Sequence, residues 1–497
     1  MIAKNEEYIV DIIDNGFQGE GIAKINGITV FIPKAIKDEK VKIKILKVKT
    51  SIAYGKVIEI IEKSKYRKES DCNTFSRCGG CNLRHIDYDY TLEIKKNSVE
   101  STLRKALGRN VQIIDILKMD TPCNYRNKLQ YPVGKDYNGN PIMGVYAERT
   151  HSIIETKECM LQDKLSQDIA NDIFDFIVKN KIKVYDEKNL KGSIRHIVIR
   201  IGKKTNQVMV TLVSNTKKIE KESELVKYIT SKYPQIKTIV KNLNNKNTNV
   251  ILGQENEVLY GEGYIYDYLG DFKFKISPMS FYQVNPIQTE KLYSKVVECA
   301  GLSGKETVFD LYCGIGTIGI FASKKIKKLY GIETVSQAIE DAKENAKINN
   351  IKNSEFFVGD VEKTLPEFIK ERNITPDVVF VDPPRKGCDK TALDTLMQIK
   401  PKRIVYVSCN PATLARDLKI LEEKYDLKEV SICDMFPFTR SCRMCGSAIS
   451  KRFDTIVEFT AVEDFISFER KGKNKVKRVE NNKIKVTIEV DMVCGVV

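Results

Sequence analysis

The sequence predicts a chain of three parts: a small β-barrel, a middle α+β domain and a C-terminal α/β domain built on a doubly wound sheet. Three observations predict it. Short apolar–polar alternations broken by glycine fill the first sixty residues, a mixed pattern follows, and after residue 275 continuous apolar strands alternate with helices. A length of 497 residues accommodates two to four domains, and 42% hydrophobic with 30% charged residues excludes a chain disordered throughout.

The barrel is read over residues 1–62. The runs Tyr8–Ile13, Gly16–Gly21, Gly27–Ile32, Val41–Val48 and Ala53–Ile60 make five short strands with glycine turns, an OB-like β-barrel. Barrels of this kind often carry nucleic acid on a strand face, and Lys42, Lys44, Lys47 and Lys49 are outward lysines that suit it; the plainer alternative is a solvated strand surface.

The middle domain is read over 63–270. The polar linker Glu62–Ser70 leads into a group of cysteines, a helix is expected over 91–107, strands near Ile194–Ile201 and Gln207–Val213, and helices near 161–179 and 218–232. The third part, 271–445, carries the apolar strands Thr307–Tyr312, Lys328–Glu333, Asp377–Asp382 and Arg403–Ser408, each followed by a helical pattern. Strands buried on both sides and alternating with helices imply a parallel, Rossmann-like sheet covered on both faces. Residues 446–497 form an atypical charged tail, with Arg470, Lys471, Lys473, Lys475, Lys477 and Arg478 in one run.

Lys plus Arg number 82 against 66 Asp plus Glu, a formal charge of +16 that favours a polyanionic partner without identifying one; the plainer alternative is a solvated, lysine-rich surface. No run approaches the roughly 18 apolar residues of a membrane span, and Met1–Glu7 lacks the layout of a signal peptide, so a cytoplasmic chain with no membrane role is expected. Nothing in the sequence calls for an obligate protein partner. The odd count of 13 cysteines argues against a disulfide framework and toward metal or nucleophile roles.

Two stretches of the α/β part carry chemistry. The strand Thr307–Leu311 runs into Tyr312-Cys-Gly314-Ile-Gly316-Thr317, where glycine lets the backbone turn tightly and approach a ligand closely. Glu333 ends the next strand, nineteen residues after Gly314, where a carboxylate can accept from both hydroxyls of a ribose. Asp360 ends the strand-like run Glu355–Gly359 and can receive an adenine amine. Gly319 completes a Gly-x-Gly-x-x-Gly spacing, so a nicotinamide cofactor stays open at this point. Farther on, Asp382-Pro-Pro-Arg-Lys-Gly387 and Ser408-Cys-Asn-Pro-Ala-Thr413 follow two apolar strands. Ligands of open α/β sheets bind beyond the carboxyl ends of the strands, so Tyr312, Glu333, Asp382 and Cys409 should converge, with Cys409 placed as a nucleophile.

A second cysteine pattern stands apart. Cys72-x5-Cys78-x2-Cys81 gathers three soft ligands, Cys159 is available as a fourth, and thiolate sets of this kind suit zinc or an iron–sulfur cluster alike. His85, His151 and His196 are isolated and read as ordinary polar or core histidines.

The residues Phe281-Tyr-Gln-Val-Asn285, Asp310-Leu-Tyr-Cys-Gly-Ile-Gly316, Asp382–Gly387, Ser408-Cys-Asn-Pro-Ala-Thr-Leu-Ala-Arg-Asp417 and Asp434-Met-Phe-Pro437 resemble the uracil-C5 RNA methyltransferases, over roughly residues 1 to 440. The chain is most similar to the branch that acts on 23S ribosomal RNA and carries a TRAM barrel and an iron–sulfur cluster. The resemblance implies S-adenosylmethionine as methyl donor, Cys409 as the nucleophile that adds to C6 of uracil, and Gln283, Tyr312, Glu333 and Asp382 lining the donor or the base. It also implies a [4Fe–4S] cluster on Cys72, Cys78, Cys81 and Cys159.

In one place the chain departs from the family. After Thr439 the family continues with a His-Val-Glu string whose glutamate is the final base, and here Arg440-Ser-Cys-Arg-Met-Cys-Gly446 puts Arg443 at that offset. A guanidinium stays protonated and cannot accept a proton, which predicts impaired turnover. One codon choice for Ser441–Gly446, TCA TGT AGA ATG TGT GGT, reads His-Val-Glu-Cys-Val one nucleotide later, so a reading-frame shift near residue 440 is inferred. Under a genuinely divergent terminus, Cys442 and Cys445 would instead read as a metal pair. Two rival functions stay in view: an RNA-binding protein of the same fold that has lost catalysis, and a nicotinamide-dependent oxidoreductase.

Overall fold

A computed structural model describes residues 2–16, 18–148 and 150–450, and the backbone of the strands Thr455–Thr460, Lys475–Glu480 and Lys483–Ile488. Of the basic run in the tail, Arg470, Lys471 and Lys473 lie outside the described residues.

Alternation folds the N-terminal part. In the strand Lys40–Val48, Val41, Ile43 and Ile45 are buried while Lys42 and Lys44 turn outward, as period-two patterning requires. The sheet has six strands rather than five, in the order Glu7–Asp11, Lys40–Val48, Ile52–Glu62, Ile28–Ile32, Gly21–Ile25, Asp14–Asn15. Its first and last members are consecutive in the chain, so the sheet curls back on itself into the OB-like barrel around Val30, Ile32 and Ile43. Lys42 is tied to Glu7 across the strand pair at 3.0 Å, so one of the four outward lysines has a carboxylate neighbour already.

The helix Tyr88–Leu107 starts where the Asp87 carboxylate accepts from the backbone N–H groups of Asp89 and Tyr90 and ends at Gly108, whose φ of 72° a side chain would resist. The middle part is a seven-stranded sheet in the order Ile153–Glu155, Pro141–Tyr146, Lys128–Lys135, Ile194–Ile201, Val208–Ser214, Ile236–Leu243, Glu255–Gly261. Helices Lys164–Lys179 and Glu222–Lys232 lie where the periodicity predicts them and cover one face through Ile169, Ile173, Leu225 and Ile229.

The C-terminal sheet has eight strands: Ser354–Val358, Lys328–Glu333, Thr307–Leu311, Val378–Val381, Arg403–Ser408, Arg443–Ser450, Tyr425–Cys433 and Ile113–Leu117. The first five are mutually parallel and Arg443–Ser450 runs antiparallel between two neighbours. Side chains of one strand serve opposite cores: Val379 and Val381 face helices Val361–Arg372, Lys390–Ile399 and Pro411–Leu421, while Val378 and Phe380 face Pro286–Ala300, Thr317–Ala322 and Ser336–Ile348.

Two expected boundaries shift. Ile113–Leu117, assigned from sequence to the middle part, pairs in parallel with Tyr425–Cys433 and closes the edge of the α/β sheet, because its apolar side chains complete a core built by distant residues. The strand Arg443–Ser450 runs across the expected start of the tail at residue 446, because it fills the gap between two strands and buries Met444, Cys445 and Ala448. Among the described residues, no helix is long and apolar enough to cross a membrane.

Candidate active site

The chain order Thr307–Leu311, Lys328–Glu333, Ser354–Val358 runs to one side of the sheet and Val378–Val381, Arg403–Ser408 to the other. The crevice expected at that reversal is present as a cavity of about 760 Å³ beyond the carboxyl ends of the strands. Its lining includes Gln283, Tyr312, Gly314, Glu333, Asp360, Asp382 and Cys409, every residue assigned from sequence to the donor, the base or the nucleophile.

The first loop is shaped by backbone that only special residues tolerate. Tyr312 sits at φ 62° and Gly314 at φ 55°, and a Cβ on Gly314 would meet nothing within 4 Å, so the backbone there is open to close approach by a ligand. Gly319 has a different reason: a Cβ would stand 2.8 Å from Leu329, and its N–H donates to Asp310 at 2.8 Å, so it serves helix-to-strand packing. Glu333 accepts from the N–H of Gly314 at 3.2 Å through one oxygen and from that of Val335 at 3.0 Å through the other, which fixes its carboxylate at the rim.

Asp360 stands at the start of the helix Val361–Arg372 beside Glu362, a residue that sequence reasoning missed. The Tyr312 hydroxyl donates to Glu362 at 3.1 Å. Burial, and then the hydrogen bond with Asp360, holds the Glu362 carboxyl above the ordinary glutamate range, while that hydrogen bond holds Asp360 below its own. Deeper in, Asp310 is buried and its carboxyl is pushed up to about 7, first by loss of water and then by the charges of Asp382 and Glu333.

Cys409 occupies the junction between the strand Arg403–Ser408 and the helix Pro411–Leu421. Asn410 caps that helix, its side chain accepting from Ala412 N–H at 3.0 Å, and Ser408 Oγ accepts from Asn410 N–H at 3.1 Å. The turn is therefore held from both sides and leaves the thiol half-buried in the cavity wall. Opposite, Arg443 Nη1 donates to both oxygens of Asp382 at 2.9 and 2.7 Å. Burial alone would favour a neutral guanidine, but the charge of Asp382 and the hydrogen bond to it hold Arg443 above its ordinary value. It stays a cation.

The remaining wall comes from several separate elements. Phe281 is 65% exposed at the cavity mouth. Lys95, on the helix Tyr88–Leu107, donates to Asp434 at 2.6 Å with both side chains almost wholly buried, and Tyr88 donates to the other oxygen at 2.9 Å. Gly19 of the barrel and Leu83 of the cysteine segment also reach the cavity, and a Cβ on Gly19 would stand 2.2 Å from Leu83.

Cys72, Cys78, Cys81 and Cys159 come together around a separate cavity of about 200 Å³. Among the described residues, no three His, Cys, Asp or Glu side chains are placed to hold a metal ion as they stand. Burial first, and the neighbouring Cys159 and Cys78 with it, push the Cys81 thiol up to about 12 against the opposing charges of Arg84 and Arg126. Gly80 N–H donates to Cys78 Sγ at 3.2 Å. Arg84 Nη1 and Arg126 Nε, both buried on residues lining this cavity, have no hydrogen-bond partner there. Cys442, just before the strand Arg443–Ser450, and Cys445 within it are buried in opposite cores of the sheet, so they make no metal pair. His85 and His196 are buried, with burial pushing their pKa down to about 3 and about 4, and His151 lies exposed 3.2 Å from Glu187.

The family model described as tRNA (uracil-5-)-methyltransferase matches residues 87–452, and that of the TRAM domain matches residues 3–58. An uncharacterized RNA methyltransferase of Clostridium acetobutylicum is 50% identical over 443 residues, covering 88% of this chain and 96% of the relative. One of Oceanobacillus iheyensis is 45% identical, covering 88% and 95%. The crystal structure of Pyrococcus abyssi tRNA (uracil-54, C5)-methyltransferase in complex with S-adenosyl-L-homocysteine superposes with a TM-score of 0.71 at 28% identity, over 89% of this chain and 100% of that one.

Proposed function

The chain belongs to the tRNA (uracil-5-)-methyltransferase family, whose members are S-adenosylmethionine-dependent RNA methyltransferases, and from that membership we propose that it methylates C5 of a uridine through a covalent bond between Cys409 and C6. The observation that carries this reading is a single cavity lined by Cys409 together with Glu333 and Asp360. The open backbone at Gly314 and the fixed carboxylate of Glu333 fit a nucleoside that brings ribose hydroxyls to the rim, with Asp360 at hand for an adenine amine. When bound, S-adenosylmethionine supplies an electrophilic methyl on a sulfonium.

C5 of uracil is a weak nucleophile because attack costs the ring its conjugation. The Cys409 thiolate adds to C6, its electron pair forming the C–S bond while the C5=C6 π pair shifts into an enolate; C5 then takes the methyl group and the sulfonium leaves as a neutral thioether, dividing one hard displacement into two easier steps. The C5 proton must next leave to a base so that its bonding pair reforms the double bond and expels Cys409. The target nucleotide has to be unstacked to reach the cavity, since neither ring face is available in a helix. Gln283, Tyr312 and Asp382 hold the base or the donor.

At the family's base position stands Arg443, a cation bound to both oxygens of Asp382. It accepts no proton, so methyl transfer outruns elimination and the adduct persists. The string His-Val-Glu that the next frame can encode over Ser441–Gly446 supports a shifted frame near residue 440. Sequencing codons 435 to 455 tests this; a string unable to encode His-Val-Glu in the next frame ends it.

The four cysteines fit a [4Fe–4S] cluster better than a single ion. They surround a cavity rather than a point, and Arg84 and Arg126, each with a buried guanidinium nitrogen that has no hydrogen-bond partner, also line it, which suits an occupant whose four thiolates leave it anionic. The cluster would hold the segment between barrel and catalytic sheet; methyl transfer does not require it.

The RNA proposed as substrate is 23S ribosomal RNA, from the resemblance to the branch with a TRAM barrel and cluster. A transfer RNA is the second reading, favoured by the similar Pyrococcus abyssi enzyme. Mapping 5-methyluridine in both RNA classes from cells with and without the gene separates them. The chemistry is tested by incubating the protein with 5-fluorouridine RNA and donor: a denaturation-resistant adduct is expected, and a pure RNA binder forms none.

A further inference from the structure

A second cavity, of about 520 Å³, adjoins the active-site crevice and is used by no step above. Arg385, Phe436, Arg440 and Ser441 line both, so the two are continuous along one wall. The far side of the second cavity is formed by Tyr146 and Arg126 from the middle part and by Gly80 from the cysteine segment.

We infer that this cavity is a subsite for the nucleotide next to the flipped uridine, with Tyr146 as the stacking surface for its base and Arg385 and Arg440 as the cations for the linking phosphate. The inference rests on the reading of the crevice as the place of the target base. Three observations support it. A volume of about 520 Å³ lies within the range of about 300–1,000 Å³ typical of small-ligand sites. The Tyr146 ring is held in place, stacked on His151 with centroids 5.4 Å apart and with its hydroxyl 3.5 Å from His196 Nε2, so little side-chain entropy remains to be lost when a base stacks on it. Arg440 is poised at the shared rim, its Nη1 donating to Gln18 of the barrel at 2.5 Å. A strand leaving the crevice therefore meets cations first and an aromatic face next, the sequence of groups in which single-stranded RNA presents phosphate and base. The barrel contact at Arg440 also brings the N-terminal part to the same exit.

The probe is pentauridylate with a central 5-fluorouridine, compared with versions abasic at one neighbour of the centre or the other, in the presence of S-adenosylmethionine. Adduct yield scores the crevice and affinity scores the subsite. Loss of one neighbouring base, on one side only, should weaken binding of the unchanged protein about tenfold or more. Tyr146→Leu should show that sensitivity abolished, and Arg440→Gln should lower the salt slope of log affinity by about 0.7 while keeping the sensitivity to the base. Equal affinity for all three RNAs alongside normal adduct overturns the subsite and leaves the reading of the crevice standing. Failure of every RNA to form adduct overturns both.

Discussion

Replacing Arg443 by glutamate is the perturbation whose outcome the geometry fixes most sharply. Arg443 and Asp382 are joined by two contacts at 2.9 and 2.7 Å, with side chains 10% and 13% exposed. Removing one partner of such a pair leaves a charge uncompensated and costs about 3–5 kcal/mol, so Arg443→Met should lose stability of that order without gaining activity. Arg443→Glu instead sets a second carboxylate beside Asp382. Two carboxylates sharing a site cannot both ionise easily, which raises the proton affinity of one toward the working range of a base. A positioned general base is worth about a hundredfold to ten-thousandfold. The assay follows methyl transfer to RNA under excess substrate, with adduct measured on denaturing gels. The unchanged protein should give one rapid methyl transfer per chain and then stall with adduct accumulated, whereas Arg443→Glu should continue with steady-state release faster by that factor. Rapid multiple turnover by the unchanged protein, with no gain on Arg443→Glu, refutes the reasoning.

Further outcomes follow from other parts of the structure. Asp310, raised from 3.8 to about 7 by burial, keeps a proton in the native state that the unfolded chain gives up at lower pH. Its contribution to stability is therefore full below about pH 4 and lost as pH rises through 7, by at most about 4 kcal/mol; thermal unfolding of Asp310→Asn should fall less between pH 5 and 8 than that of the unchanged protein, and parallel curves would contradict it. Lys95→Met breaks the buried pair with Asp434 at 2.6 Å and should cost about 3–5 kcal/mol in denaturant unfolding, with an effect below about 1 kcal/mol counting against that pair as a structural tie. Anaerobic reconstitution should load about four irons per chain with visible charge-transfer absorption, and Cys159→Ser should lose most of both; about one zinc per chain and no iron would favour the single-ion site.

The central strands of the α/β sheet were legible because each is a short apolar run buried on both sides, and Tyr312, Glu333, Asp382 and Cys409 were legible because each ends or follows such a run. The edge strand Ile113–Leu117 was not, since its sequence favours any sheet and only the distant Tyr425–Cys433 selects this one. Arg443–Ser450 carries few β-branched residues and is made a strand by two neighbours that bury it. Glu362 could have been suspected from its place two residues after Asp360 at a helix start. Lys95 could not, because a lysine on an amphipathic helix reads as solvated until Asp434 is brought against it. The offset of Arg443 was visible in the sequence; its grip on Asp382 was not, for the two lie on separate strands.

The claim on which the account depends is that a sulfur bonds to the pyrimidine before the methyl group arrives. Transfer of labelled methyl from S-adenosylmethionine to RNA, measured in a single turnover with the unchanged protein and with Cys409→Ala, tests it directly. Label should enter the RNA at C5 with the thiol present and fall to background without it; undiminished labelling by Cys409→Ala would contradict the mechanism.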